Sequence, residues 1–513
     1  MVSFLVRRLI VSVLILLAAS FIMFVLAANS GDPLQDLRTT NAPNREQLIA
    51  QRSEVLRLDL PVPLRWANWL GGATGCLVPG AQLCDLGRTI SGSAVLTVLP
   101  TAMSSTVVLV TGATVFAVIL GVLVGVITAL RQNTPFDLGV TLFSFFLYSL
   151  PSFLIAVLLK EFIAIRFNDF LVAGGRLSPG MVLGVGAVFG GAVALFSRGT
   201  RRRRWALFAI AAAASAATLG GLSLSGWFVD PGLGPVGLGL GVLGTAAVTV
   251  LLMDAWRGRL RWVTGGAALA GLLGCLLVQG ALERGSWPII FGVVFGFLGA
   301  GILGGFLAGG QERATAARIG GVVLTAAGLL AVVDRFIREW PAYVANPRVS
   351  GRPIATVGSE TPGLTGDLWT VGMDRFTHLL LPTMALMLIS FAAYTRYSRA
   401  GMLEVLDQDY IRTARAKGLP ERTVIARHAL RNTLIPVATI VATDIGSLLG
   451  GAVIAEHVFA IPGMGQLFNT SHRLVDLNPI MGYFLVIAIM AITFNILADL
   501  AYAALDPRVR VRG

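Results

Sequence analysis

The stretch Glu404–Pro436 reads EVLDQDYIRTARAKGLPERTVIARHALRNTLIP, a polar, arginine-rich interruption between long apolar runs. Gly418-Leu419-Pro420 divides it into two short helical pieces, because glycine suits a helix C-terminus and proline a first turn. Leu403, Leu406, Tyr410 and Ala414 recur at helical spacing, with Arg412 and Arg415 on other faces. Such an amphipathic elbow needs a surface to cover. A soluble protein would satisfy it, and so would anionic lipid headgroups meeting Arg412, Arg415, Lys417, Arg422, Arg427 and Arg431. Of the two, the pattern favours the protein partner.

Outward from the elbow the chain is almost entirely apolar. Its 513 residues are 55% hydrophobic and only 13% charged, and the mean hydropathy is +0.78. That composition lies outside the range of soluble domains and predicts an all-α polytopic membrane protein. The formal net charge of +13 is carried by cationic loops flanking apolar runs, as orientation in a bilayer requires, so nucleic acid is not expected as a partner. Membrane lipid is.

Arg7 and Arg8 precede the apolar run 9–28, which is long enough to span and too long for an ordinary signal-peptide core. Residues 1–28 are therefore expected to form an uncleaved anchor, and the polar, proline-containing residues 29–100 an external loop or cap. Within 101–165, spans are predicted at 102–130 and 138–164, with a kink at Pro151 in the segment SLPSF. A Gly- and Ala-rich block over 166–371 has room for about six crossings. Residues 372–513 hold three more, at 378–400, 434–455 and 480–503. The total is about twelve, with both termini inside. Segments assigned to the inside carry 24 of the 40 Lys and Arg, although the outside segments are longer. This bias places the elbow in the cytoplasm, and an even number of spans in the block leaves that side unchanged.

Polar residues within the spans are costly in lipid and should face protein or water. Asp444 is one. Asn495, Asp499 and Tyr502 fall on one helix face, where a role in a pathway or subunit interface and plain interhelical hydrogen bonding are both compatible with the pattern. Lys160 and Glu161 read as snorkelling side chains. In the block, Gly292 and Gly296, or Gly301 and Gly305, would let helices approach closely. Cys76 and Cys84 share a polar segment on the outer side, where a disulfide and two free thiols are equally compatible with the sequence; Cys275 reads as packing. His378, His428, His457 and His472 show no metal-ligand spacing, so no metal site and no cofactor are expected. No GxxxxGK[ST] occurs, so any ATP chemistry would belong to another polypeptide, and the chain is not expected to be an enzyme.

Several motifs resemble one family. DYIRTARAKGLPER at 409–422, followed by RHALRNTLIP at 427–436, is similar to the E-A-A loop of bacterial ABC importer permeases, in the form of the dipeptide/oligopeptide/nickel B-type subunits. DLGRTI (85–90), SLPSFL (149–154), LLPT (380–383), AEHVFAIPGMG (455–465), NILAD (495–499) and DPR (506–508) follow the same pattern. Together they cover roughly 1–165 and 372–513 and are specific as an ordered set. The resemblance implies a six-span type I permease core, interrupted after its third span, in a bacterial inner membrane. It also implies a second homologous permease subunit, two ABC ATPase subunits and an extracytoplasmic substrate-binding protein as partners.

On that resemblance the elbow, 404–436, is the coupling helix seated in an ATPase cleft. Asp409, Tyr410, Arg412, Thr413, Ala414, Lys417, Gly418 and Leu419 are then its coupling residues, with Arg412-Thr413-Ala414 replacing Glu-Ala-Ala. Asp444, Glu456, His457, Asn495 and Asp499 would belong to the pathway, its external gate or the permease interface. The implied solutes are di- and oligopeptides, with nickel or glutathione as variants. A secondary transporter or channel acting without an ATPase is the alternative; it expects coupling-ion carboxylates or internal repeats, and the sequence offers only isolated acids.

Overall fold

The computed structural model describes residues 2–505 apart from 40, 42, 77–83, 198, 254 and 257, with side chains omitted for 2–6, 8, 9, 442, 443, 445–451 and 497–505. The DPR motif lies outside the described residues. The structure is helical, and among the described residues ten helices are long and apolar enough to cross a membrane, or eleven if one bent pair counts as a span. The helix Leu430–Val458, 29 residues long, occupies the position of the span expected at 434–455. At ~1.5 Å per residue it is long enough to cross the hydrocarbon core.

The chain divides into two compact units. The first comprises Met1–Ile163, Thr356–Ser359 and Leu379–Gly513. Its long helix Val95–Leu130 buries a stripe running through Leu99, Ala102, Thr106, Leu109, Ala113, Ala117, Gly121 and Gly125 at spacings of three and four. Small residues there bring backbones together, since a Cβ on Gly125 would stand 2.6 Å from the Thr395 carbonyl oxygen. The turn after this helix is tied down by Asp137, only 7% exposed, which accepts two hydrogen bonds from the Arg399 guanidinium at 2.7 and 3.0 Å. The same carboxylate accepts from the Asn133 N–H at 3.0 Å, and Thr134 caps the helix through the Asp137 N–H.

The expected third span is broken rather than kinked. Pro135–Ser149 and Ser152–Val172 meet at 104°. Proline bars the helical region to the residue before it, and Leu150 is extended (φ −80°, ψ 133°). Pro151 then starts a new helix in which its missing N–H is no loss. A wide turn, Lys160–Ile165, follows. Lys160 does not simply snorkel: its Nζ donates to the Val458 carbonyl at 3.3 Å.

The segment expected as a cap holds the helices Gln35–Thr39, Arg45–Leu56 and Val62–Gly75 and a disulfide, Cys76–Cys84. DLGRTI docks onto the segment before the last helix. Gly87 has φ +82°, and a Cβ there would meet the Asn478 amide. The Asn478 amide donates to the Arg88 carbonyl at 2.7 Å, and the Ile90 N–H donates to Asp476 Oδ2 at 2.8 Å. Burial pushes the Asp476 carboxyl up to about 6, against the pull of the Ile90 N–H and the Arg52 charge. With the unfolded value near 3.8, the folded state holds the extra proton between the two values. Stability from this group is therefore full below about pH 3.8 and falls as pH rises through 6, a loss of roughly 3 kcal/mol. Hydrogen exchange at the Ile90 amide should be slower at pH 5 than at pH 7.5 after correction for intrinsic rates. Asp476→Asn should remove that difference; an unchanged difference would show that another group sets it.

The second unit comprises Ala164–Ala355 and Glu360–His378. It holds six long helices, Pro179–Phe196, Arg201–Leu224, Gly234–Met253, Leu260–Leu282, Trp287–Ala308 and Arg313–Ile337. Leu238, Val242, Val263, Cys275, Ile319 and Val323 form its core, and the Cys275 thiol donates to the Ala327 carbonyl at 3.1 Å. Of the two glycine pairs in Trp287–Ala308, Gly301 and Gly305 meet the Gly320 and Ala316 backbone, whereas a Cβ on Gly292 or Gly296 would meet open space. Two buried aspartates tie the connections. Asp334 accepts from the Leu233 and Gly234 N–H groups at 2.9 and 3.2 Å. Asp374 accepts from the Tyr343 hydroxyl at 3.0 Å and from the Thr361 N–H and hydroxyl at 2.8 and 2.6 Å.

Candidate functional site

The helix Leu368–Leu406 stops before Asp407, and a new helix, Asp409–Ala416, starts after an extended Gln408. Across that break Leu403, Leu406 and Ala414 still pack into one cluster, whereas Tyr410 is exposed. On the short helix the buried side is Ile411 and Ala414, packed with Val424 and Ala429 against Ala129 and Met402. Its core thus sits on the end of the long helix Val95–Leu130, beside the Asp137–Arg399 ion pair.

The turn out of the short helix follows from Gly418. Its φ of +75° is the left-handed conformation that a Cβ penalises. The Gly418 N–H donates to the Arg415 carbonyl at 3.0 Å and the Leu419 N–H to the Ala414 carbonyl at 3.4 Å. This pair of bonds is the Schellman arrangement, which satisfies carbonyls the helix end would leave free. Arg415 then reaches across the turn and donates to both oxygens of Glu421 at 3.2 and 2.7 Å. The guanidinium holds the Glu421 carboxyl below its usual range, and Arg415 is raised in turn. Both groups are substantially exposed, so the clasp contributes less than about 1 kcal/mol. A wide helical turn, Val424–Ala429, leads into Leu430–Val458.

The outward face carries Asp409, Arg412, Thr413, Lys417, Gly418 and Leu419, all exposed. Asp409 and Arg412 approach to 3.6 Å and stay mostly in solvent. Nothing lies within 4 Å of where a Gly418 Cβ would project. Tyr410 is at the margin, its hydroxyl accepting from the Asn432 amide at 2.8 Å. Ala414 points inward, which leaves it a supporting place under the face rather than one on it.

At the other end of Leu430–Val458 lies a second constellation. Glu456 is fully buried, and its carboxyl accepts from the Thr106 hydroxyl at 2.5 Å and from the Gly465 and Gln466 N–H groups at 2.6 and 3.1 Å. Thr106 in turn accepts from the Met464 N–H at 2.8 Å. IPGMG wraps the carboxyl so closely that a Cβ on Gly463 would collide with it. The carboxyl caps the N-terminus of the helix Met464–Arg473, where free N–H groups and the helix dipole favour an acceptor. His457 is exposed, and its Nδ1 pairs with the Asn469 amide at 3.1 Å.

Asp444 is partly buried and Asn495 exposed in the isolated chain; the side chains of Asp499 and Tyr502 lie outside the described residues. Neither Asn495 nor Asp444 joins the Glu456 cluster. Sequence reasoning did not single out Asp137, Arg399, Thr106 or the Arg415–Glu421 clasp. An acid three residues after a capping threonine, as in TPFD, was the available signal for Asp137. Thr106 carries no such signal.

An all-helical, multi-pass membrane protein with a polar elbow between two of its last helices is the class these features define. Residues 121–511 match the family model described as "Binding-protein-dependent transport system inner membrane component", and the chain belongs to that family. Among curated proteins it is similar to the oligopeptide transport system permease protein AppB of Bacillus subtilis, at 46% identity over 136 residues, 26% of this chain and 43% of the relative. The dipeptide transport system permease protein DppB of Escherichia coli is 43% identical over 138 residues, 27% of this chain and 41% of the relative. The glutathione transport system permease protein GsiC of Pectobacterium atrosepticum is 42% identical over 147 residues, 29% of this chain and 48% of the relative. The chain thus spans somewhat under half the length of the curated relatives it matches.

Proposed function

We propose that the chain is a membrane-spanning subunit of an ATP-driven, binding-protein-dependent importer of di- and oligopeptides. In this reading the outward face of Asp409–Ala416 docks in a cytoplasmic ATPase, a second permease subunit completes the pathway, and a binding protein delivers solute from outside. Residues 166–371 are an extra helical bundle inserted in the six-span core. The observation that carries the proposal is the elbow: a short helix with an apolar underside seated on its own protein and an exposed face that includes Asp409, Arg412 and Lys417. Movement of a docked partner would reach the spans through rigid contacts, namely Ile411 on Ala129 and Met402, and the nearby Asp137–Arg399 pair.

Similarity to the oligopeptide and dipeptide permeases AppB and DppB favours peptide solutes, while GsiC marks glutathione, itself a peptide, as the second reading. The test is reconstitution with the remaining subunits in liposomes. ATP hydrolysis should rise when the binding protein is added with labelled tripeptide, and uptake should depend on ATP. Uptake by the chain alone, indifferent to ATP, would establish a secondary carrier instead.

A further inference from the structure

In the second unit the Phe297 ring fills the space between the helices Leu260–Leu282 and Trp287–Ala308, where Cβ atoms on Gly274 and Gly328 would meet it at 2.7 and 3.1 Å. Farther from the turn that joins the two helices nothing fills it. Cβ atoms on Gly266 and Gly304 would meet open space, and a cleft of about 320 Å³ lies between the helices, floored by Gly320 and Leu324. Arg259 and Trp262 stand at its mouth, the tryptophan 71% exposed. Arg259 reaches over that mouth to the next turn, where its Nη1 would lie 3.2 Å from a Cβ on Gly310. From Arg259 to Ala270, the last lining residue on that helix, the cleft runs ~16 Å at ~1.5 Å per residue. That is about half of the ~30 Å hydrocarbon core, the depth of one leaflet.

The connections at this end, residues 254–261 and 309–318, carry five arginines against two acids, Asp254 and Glu312. Among the described residues the side chains of Arg259, Arg261, Arg313 and Arg318 make no ion pair or hydrogen bond. Arg261 lies over the Trp262 ring at 5.3 Å and Arg313 over the Phe306 ring at 5.5 Å. At the opposite end of Arg313–Ile337 the arginines are neutralised, Arg335 by Glu339 at 3.0 Å and Arg338 by Asp334 at 2.8 Å. An apolar cleft one leaflet deep under an unneutralised cationic rim has the complement of a single molecule. We propose that this cleft is a binding site for an anionic diacyl phospholipid, with one acyl chain along Gly266, Ala270 and Gly304 and the phosphate held by Arg259. Guanidinium pairs with phosphate through two parallel N–H donors, and tryptophan favours the headgroup level. Bulk lipid tails are as apolar as the cleft, so the chain supplies the fit and the arginines supply the preference for negative charge. The site needs neither an ATPase nor a peptide and stands apart from the importer reading.

The test is native mass spectrometry of the detergent-solubilised full chain, titrated with dioleoylphosphatidylglycerol and, in parallel, with dioleoylphosphatidylcholine, which has the same acyl chains. Saturable binding of phosphatidylglycerol is expected, at least about tenfold tighter than that of phosphatidylcholine. Arg259→Gln should weaken phosphatidylglycerol at least about fivefold and leave phosphatidylcholine unchanged. Gly304→Leu places its side chain in the cleft and should weaken both lipids. Leucine suits a helix better than glycine, so the melting temperature of that variant should not fall. Glycerophosphoglycerol, the headgroup without its chains, should not displace the lipid. Equal affinity for the two lipids, or phosphatidylglycerol binding unchanged in either variant, would overturn the site. Displacement by the headgroup alone would overturn the acyl-chain cleft in favour of a surface phosphate site, and a dimer of the chain that Gly304→Leu dissociates would give the cleft to a second copy instead.

Discussion

Gly418→Arg is expected to reduce peptide uptake at least about a hundredfold while the protein still reaches the membrane in normal amount. Two effects combine. At φ +75° any ordinary side chain costs about 1–2 kcal/mol, which frays the Schellman turn without unfolding the spans. Since nothing lies within 4 Å of the added Cβ, the new side chain projects outward from the face proposed to meet the ATPase. Steric exclusion of the partner, rather than misfolding, accounts for most of the loss. Gly418→Asn separates the two, because asparagine tolerates the left-handed region and is small; it should keep most of the transport. Uptake in membrane vesicles, normalised to the amount of protein, decides the matter, and normal transport by the arginine variant would falsify the docking role.

Glu456→Leu should be the most destabilising single change in the first unit that adds no bulk. The replacement leaves the Gly465 and Gln466 N–H groups and the Thr106 hydroxyl without their acceptor in a site of zero exposure. At about 1–3 kcal/mol for each unmet buried group, offset by the carboxyl that no longer needs burying, the net loss is roughly 2–4 kcal/mol. Glu456→Gln keeps an acceptor oxygen of the same reach and should cost about half as much. Thermal melting of the detergent-solubilised protein, followed by size-exclusion chromatography, gives the comparison. Equal melting of all three proteins would mean that IPGMG is held by its own backbone and not by the carboxyl.

The two constellations were legible in the sequence to different depths. Gly418 and Pro420 announce the elbow because local backbone chemistry needs no distant partner. The underside was only partly legible: periodicity through Leu403, Leu406, Tyr410 and Ala414 assumes an unbroken helix, and the extended Gln408 resets the phase so that Ile411, not Tyr410, joins Leu403, Leu406 and Ala414 in the buried cluster. Glu456 stood out as an acid beside a glycine-rich turn. Its partner Thr106 is 350 positions away, and no period or spacing links them. Asp137 and Arg399 are separated by 262 positions and were hidden for the same reason. Pro151 marked a disturbance correctly, but a proline between two extended dihedrals can only be told from a kinking proline once the chain direction is known.

The contact of Gly301 and Gly305 with Gly320 and Ala316 bears on how the chain is made. Those four residues bring two backbones together across the short turn Gly309–Glu312, so Trp287–Ala308 and Arg313–Ile337 satisfy each other before the residues after 337 exist. During synthesis the two segments can therefore partition into lipid together, as a preassembled hairpin, rather than one after the other.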